Sequence, residues 1–337
     1  QPIDGKGALE SAQWLRVPVR RAPPAPIERA PIRRLLPLGV RVIDACLPVG
    51  VGQRVGLFAG AGVGKTTLLA MIARHARAAR IVIALIGERG REVRAFLDAL
   101  DDEAKARAVI VVATADRPPL WKVRAALVAT AIAEFFRDRG EDVLLLMDSL
   151  TRLLQAQREI GLLLDEPPTT KGYPPSCFSL LAETVERAGA TQKGSISAIY
   201  TVLVEGDDLR ADPVADAAIA VLDGHIVLSR RLAERSWFPA VDLLASVSRI
   251  DLDRIEKEQR AAIEVVRRAL AAYEEVAEMV ALGVYRAGSN PWVDRTIAHW
   301  AELEAFFRQS PEERADAEES ARRLLDLARK LGEGGAR

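Results

Sequence analysis

Gly60-Ala61-Gly62-Val63-Gly64-Lys65-Thr66-Thr67 is the stretch on which the fold turns. It follows a short apolar run, 54–59, and opens a run with helical spacing, 65–77. Glycines let consecutive backbone N–H groups turn inward around a phosphate without a Cβ clash, and the N–H groups and dipole of a helix start add to that cradle. In such a loop Lys65 reaches the outer phosphates and the Thr66 hydroxyl is placed to hold Mg²⁺. All eight residues are therefore expected nucleotide contacts. The usual pattern has Gly where Ala59 stands, but 60–66 form the cradle themselves. The bland alternative, a glycine turn with no ligand, fits poorly between a strand and a helix.

Working outward, apolar runs of buried-strand length recur at 81–86, 109–113, 143–147, 196–204 and 225–228. Between them 92–100 and 122–137 have helical spacing. Strand–helix alternation of this kind predicts an α/β fold, a mostly parallel sheet flanked by helices. Past Arg249 no strand pattern remains, and 253–282 and 312–331 predict an all-helical C-terminal region. Asn290-Pro291 breaks it, and Ser310-Pro311-Glu312-Glu313 reads as a capped helix start. The Pro- and Arg-rich stretch 16–26 predicts extended chain. The expected division is 1–37 linker, 38–250 strand–helix domain and 251–337 helical domain.

Composition narrows the function. Forty-seven basic residues balance forty-seven acidic ones among 337, which excludes a surface-wide field attracting nucleic acid or anionic membrane. Two cysteines and three histidines, all scattered, exclude a disulfide framework and a thiolate or histidine metal site. No apolar stretch approaches the ~18 residues of a membrane span, and no signal peptide is read at the start. Residue 1 is Gln, so the chain is expected to be cut from a longer one.

Two acids follow strands. Asp148 ends 143–147, where a carboxylate can orient Mg²⁺ at the sheet's carboxyl edge. Glu88 follows 81–86 and can polarise a water in line with a γ-phosphate, or it can be a salt-bridged helix cap. Arg152, four residues after Asp148, can reach the γ-phosphate or lie on a helix surface. Arg249 has no local motif to recommend it.

Several stretches together resemble the type III export ATPases, the motors of flagellar export and injectisome secretion and relatives of the catalytic subunit of rotary ATP synthases. They are Gly87-Glu88-Arg89-Gly90-Arg91-Glu92, Asp148-Ser149-Leu150-Thr151-Arg152, Glu166-Pro167-Pro168-Thr169-Thr170-Lys171-Gly172-Tyr173, Val204-Glu205-Gly206-Asp207-Asp208 and Ser246-Val247-Ser248-Arg249. The resemblance implies a RecA-type core in a homohexameric ring with ATP between subunits. It implies Glu88 as catalytic carboxylate, Arg89 beside the γ-phosphate, Arg152 as phosphate sensor and Arg249 as the arginine finger given to a neighbour. Phe238 matches the aromatic residue that stacks on adenine, against an alternative of core packing, and Tyr285 is a weaker candidate for the same pocket.

Central stalk and stator proteins, export chaperones and their substrates are the implied partners, at the cytoplasmic face of the inner membrane and without nucleic acid. Family members carry an N-terminal β-barrel, and Gln1–Gly7 resembles its exit turn. Lacking the barrel, the chain is expected to be mainly monomeric when dilute. Family members usually have Val where Cys177 stands. Three rivals remain. An ATP synthase catalytic subunit is disfavoured by Ala59 and the Pro168–Tyr173 loop. A non-hydrolysing ring subunit is disfavoured by Glu88, and a hexameric nucleic-acid translocase by the even charge.

Overall fold

The computed structural model describes residues 15–206, 209–250 and 255–332. The expected exit turn at Gln1–Gly7, the acids Asp207 and Asp208 and the start of the 253–282 helix lie outside the described residues.

The chain crosses residues 15–40 mostly as irregular backbone, as its prolines require. It then forms α1 (Arg41–Cys46), β1 (Arg54–Ala59), α2 (Lys65–His75), β2 (Arg80–Ile86), α3 (Gly90–Ala99), α4 (Asp102–Arg107) and β3 (Ala108–Ala113). Next come α5 (Pro119–Arg137), β4 (Asp142–Asp148), α6 (Leu150–Leu163), α7 (Pro175–Glu186), β5 (Gly189–Ala190), β6 (Ser195–Leu203) and α8 (Pro213–Val221). The core closes with β7 (Gly224–Leu228), α9 (Arg230–Glu234) and β8 (Val241–Ser248). Four helices follow: α10 (Lys257–Ala281), α11 (Pro291–Ala298), α12 (Trp300–Phe307) and α13 (Ala317–Gly332).

The strands form one sheet in the order β3-β2-β4-β6-β1-β7-β8. All neighbours are parallel except β8 against β7 and the short β5 against β6. Alternate residues face opposite layers, as the pleat dictates. Ile81, Ile83 and Leu85 of β2 join the core beneath α2, α3 and the C-terminal helices. Val82, Ala84 and Ile86 join the core beneath α5–α8. Both faces of the sheet are therefore covered, which explains the continuous apolar runs.

One expectation fails. The helix read as starting at Ser310-Pro311 starts at Ala317 instead, with Asp316 Oδ1 accepting from Glu318 N and Glu319 N at 3.0 and 3.1 Å. Tertiary contacts hold 310–315 out of the helix. Pro311 O accepts from Arg74, Glu313 pairs with Arg41, and Ala315 N donates to Gly39 O at 3.1 Å. A good local cap loses to those contacts.

Candidate active site

The loop between β1 and α2 turns through Gly62 (φ +78°) and Gly64 (φ +89°), left-handed conformations that favour glycine. Gly64 caps α2, so Lys65 and Thr66 occupy its first turn. β1, β6, β4 and β2 are adjacent in the sheet. The carboxyl ends of all four therefore converge on this loop.

They enclose a cleft of about 680 Å³ lined by Gly60–Gly62, Gly64–Thr67, Glu88, Arg89, Arg152 and the strand end Leu203–Glu205. The size suits a nucleotide-sized ligand.

Lys65 Nζ stands 2.5 Å from Asp148 Oδ1 and 3.5 Å from Glu88 Oε1. The three side chains are 11 %, 4 % and 12 % exposed, so the lysine charge is held by carboxylates alone in a poorly hydrated pocket. Burial pushes the Glu88 carboxyl up to about 7. The Asp148 charge adds to that, and Lys65 opposes it. Glu92, one turn on, is hydrogen-bonded to Glu88, and this bond holds Glu92 below its usual range. Such a carboxyl exchanges its proton near neutral pH, as a general base requires.

Arg152 and Arg89 lie at the outer wall. Arg152 donates to Gln155 Oε1 at 2.9 Å, and Arg89 is 68 % exposed, 4.0 Å from Glu92. Gly87, with φ +74°, has no room for a side chain, because a Cβ there would meet Arg152 Cβ at 2.8 Å. Both cations can swing toward a phosphate.

Phe238 is 42 % exposed, which excludes the core-packing alternative. Its ring lies over the loop, 3.4 Å from where a Cβ on Gly64 would stand. Trp237 does the packing instead, buried against Trp300 and Phe307 with ring centroids 5.8 Å away in both cases. Phe238 lies outside the residues lining the 680 Å³ cleft, and so does Tyr285. Its hydroxyl lies 3.0 Å from Asp294 Oδ1.

Arg249 is not in the cleft of its own chain. β8 runs back against β7, with Val241 opposite Leu228 and Ser248 opposite Gly224. That return carries Arg249 to the amino edge of the sheet, where its N–H donates to Asp223 O at 3.2 Å. Arg54, at the same level of β1, is five rises of about 3.3 Å from Ala59, so Arg249 lies at least about 17 Å from the phosphate loop along the strand direction alone. Its side chain is exposed there.

Three cleft features were not assigned from the sequence. Thr201 of β6 donates to Asp148 Oδ1 at 2.6 Å. A fully buried strand hydroxyl needs a partner, but β6 also carries Ser195, Ser197 and Tyr200, so nothing in the sequence singled Thr201 out. Lys122 of α5 lines the cleft with no motif to announce it. Glu92, in the quoted motif, carried no role.

Mg²⁺ takes oxygen ligands, few of them from protein, and completes its shell with phosphates and water. Thr66 and Asp148 supply that kind of donor set, and the Thr66 hydroxyl makes no hydrogen bond to a described residue. No cluster of three or more His, Cys, Asp or Glu that could hold a metal occurs among the described residues. Cys46 and Cys177 are free and buried.

Residues 39–248 match the family described as ATP synthase alpha/beta family, nucleotide-binding domain, and 255–326 match the T3SS EscN ATPase C-terminal domain. A flagellum-specific ATP synthase of Treponema pallidum (strain Nichols) is 52 % identical over 326 residues, 96 % of this chain and 72 % of that protein. The assembled ATPase EscN of the enteropathogenic E. coli type III secretion system superposes with a TM-score of 0.91 at 43 % identity. The match covers 97 % of this chain and 79 % of the other. EscN in complex with its central stalk EscO gives 0.89 at 42 % identity, with coverages of 97 % and 79 %.

Proposed function

The chain belongs to the ATP synthase alpha/beta family, joined to the C-terminal domain of the type III secretion ATPases, and from that premise we propose that it hydrolyses Mg²⁺-ATP to drive protein export through a flagellar or injectisome apparatus. The observation that carries the reading is Lys65 Nζ poised between Asp148 and Glu88 at the mouth of the phosphate loop. An entering triphosphate offers Lys65 better acceptors than two carboxylates. Lys65 then leaves them, Asp148 becomes free to act at the metal, and Glu88 is released to act on water.

In this reading 60–67 bind the phosphates through backbone N–H groups and Lys65. Thr66 and Asp148 hold the magnesium ion, which when bound offsets charge on the phosphate oxygens. Glu88 accepts a proton from the attacking water, while Arg89 and Arg152 meet the charge that spreads over the γ-phosphoryl oxygens. Phe238 receives adenine on its exposed face. Arg249 completes the site of a neighbouring copy, where a finger contributes about 10³–10⁵ in rate.

That arrangement needs a ring, and we read 38–250 as the ATPase unit of a homohexamer and 251–337 as its helical domain. A central stalk is the expected axial partner. Stator proteins, export chaperones and unfolded substrates complete the expected set, at the cytoplasmic face of the inner membrane. No helix among the described residues is long and apolar enough to cross one. The test is Glu88→Gln: ATP affinity within about twofold of the parent, with hydrolysis reduced at least a hundredfold. Near-normal turnover would overturn the assignment.

A further inference from the structure

Gln309 joins the C-terminal helices to two parts of the core at once. It is 5 % exposed, in the turn after α12. Its main-chain N–H donates to Phe238 O at 3.0 Å. Both ends of the side-chain amide are engaged: Oε1 accepts from Arg41 N at 2.7 Å, and Nε2 donates to Gly39 O at 2.9 Å and Glu313 O at 2.8 Å. A buried amide held by three hydrogen bonds is a rigid anchor.

Both ends of that anchor lead to the phosphate loop. Gly39 (φ +74°) lies so close to α2 that a Cβ on it would stand 2.3 Å from His75 Cβ. Phe238 carries its ring over Gly64, at the other end of the same helix. Arg41 strengthens the junction by donating to the carbonyls of Ala305, Phe306 and Arg308 at the end of α12, where a cation is favoured.

We propose that Gln309 is a positioning residue for the nucleotide base, fixing the Phe238 backbone from the C-terminal helices so that its ring stands ready over the loop. The inference rests on the reading of Phe238 as the adenine contact. An exposed aromatic ring on an irregular segment gains little from stacking if it must first be ordered. Gln309 supplies that order in advance.

The consequence is a selective defect. Gln309→Met keeps the volume but removes the three side-chain bonds. Gln309→Asn keeps an amide drawn back by one carbon and serves as a second variant if the first folds poorly. Affinities for ADP and for inorganic tripolyphosphate are measured by calorimetry on both variants, on Phe238→Ala and on the parent. Phe238→Ala and the Gln309 variants should weaken ADP about fivefold or more, roughly 1 kcal/mol, and leave tripolyphosphate within about twofold. Unchanged ADP affinity in the Gln309 variants, with Phe238→Ala weakened, overturns the role of Gln309 and leaves the base contact standing. Unchanged ADP affinity in Phe238→Ala overturns both. Equal loss of ADP and tripolyphosphate in the Gln309 variants means general damage to the pocket and also overturns the proposal.

Discussion

Thr201 donates its hydroxyl to Asp148 Oδ1 at 2.6 Å from the adjacent strand β6. The carboxylate thus has one oxygen engaged by both Thr201 and Lys65. Thr201→Val keeps the shape and deletes the donor. A hydrogen bond to a charged group contributes about 1.5–3 kcal/mol, so denaturant unfolding should show a loss of that order. The variant should also need more Mg²⁺ for half-maximal hydrolysis, which a metal titration at saturating ATP reads directly.

The acid limb of the pH profile follows from Glu88. Its carboxyl, raised from 4.5 to about 7, must lose its proton to serve as a base. The value of kcat/KM, which reports the free enzyme, should therefore rise with pH and level off above about 7. A plateau already reached at pH 5 would contradict the buried, Asp148-facing carboxyl. The linked stability runs the other way. With the folded value above the unfolded one, the protonated group's stabilisation is complete below 4.5 and is lost as pH rises through about 7. Glu88→Gln should flatten that slope.

Arg249→Ala should leave ATP affinity of the dilute subunit unchanged, because the side chain is outside its own cleft. Hydrolysis that grows with protein concentration should vanish. Phosphate release measured across a concentration series checks this, and equal curvature in variant and parent would refute the finger.

Arg187 and Glu134 form a two-pronged ion pair at 2.9 and 2.7 Å, with side chains 0 % and 1 % exposed. Arg187→Ala leaves Glu134 buried with, among the described residues, only the more distant Arg21, 3.9 Å away. The expected loss is about 3–5 kcal/mol, seen as a lower melting temperature with nucleotide affinity retained at low temperature.

The fold was legible where burial is two-sided. The parallel strands, covered on both faces, read as continuous apolar runs and were placed to within a residue or so. β8 was not marked as a strand because it is an edge, with Asp242, Leu244, Ala245, Val247 and Ser248 less than fully buried. Six core helices, α1, α4, α6, α7, α8 and α9, fall outside the helical runs that periodicity marks. The start of α13 was misplaced because Arg41 and Arg74 reach 310–313 from far along the chain. In the cleft, motif residues were legible because local backbone geometry dictates them. Thr201 and Lys122 were not, because their place depends on sheet order and on packing of α5, which no short window contains.

The backward run of β8 has a further meaning. It lands Arg249 on the rim opposite the glycine turn, so under the proposed finger role the two halves of a working pocket would come from different molecules. A Glu88→Gln chain, dead on its own, still lends an intact arginine, and an Arg249→Ala chain still offers an intact carboxylate. Stirred together, two silent preparations should recover a fraction of parental turnover, set by how often unlike copies sit side by side.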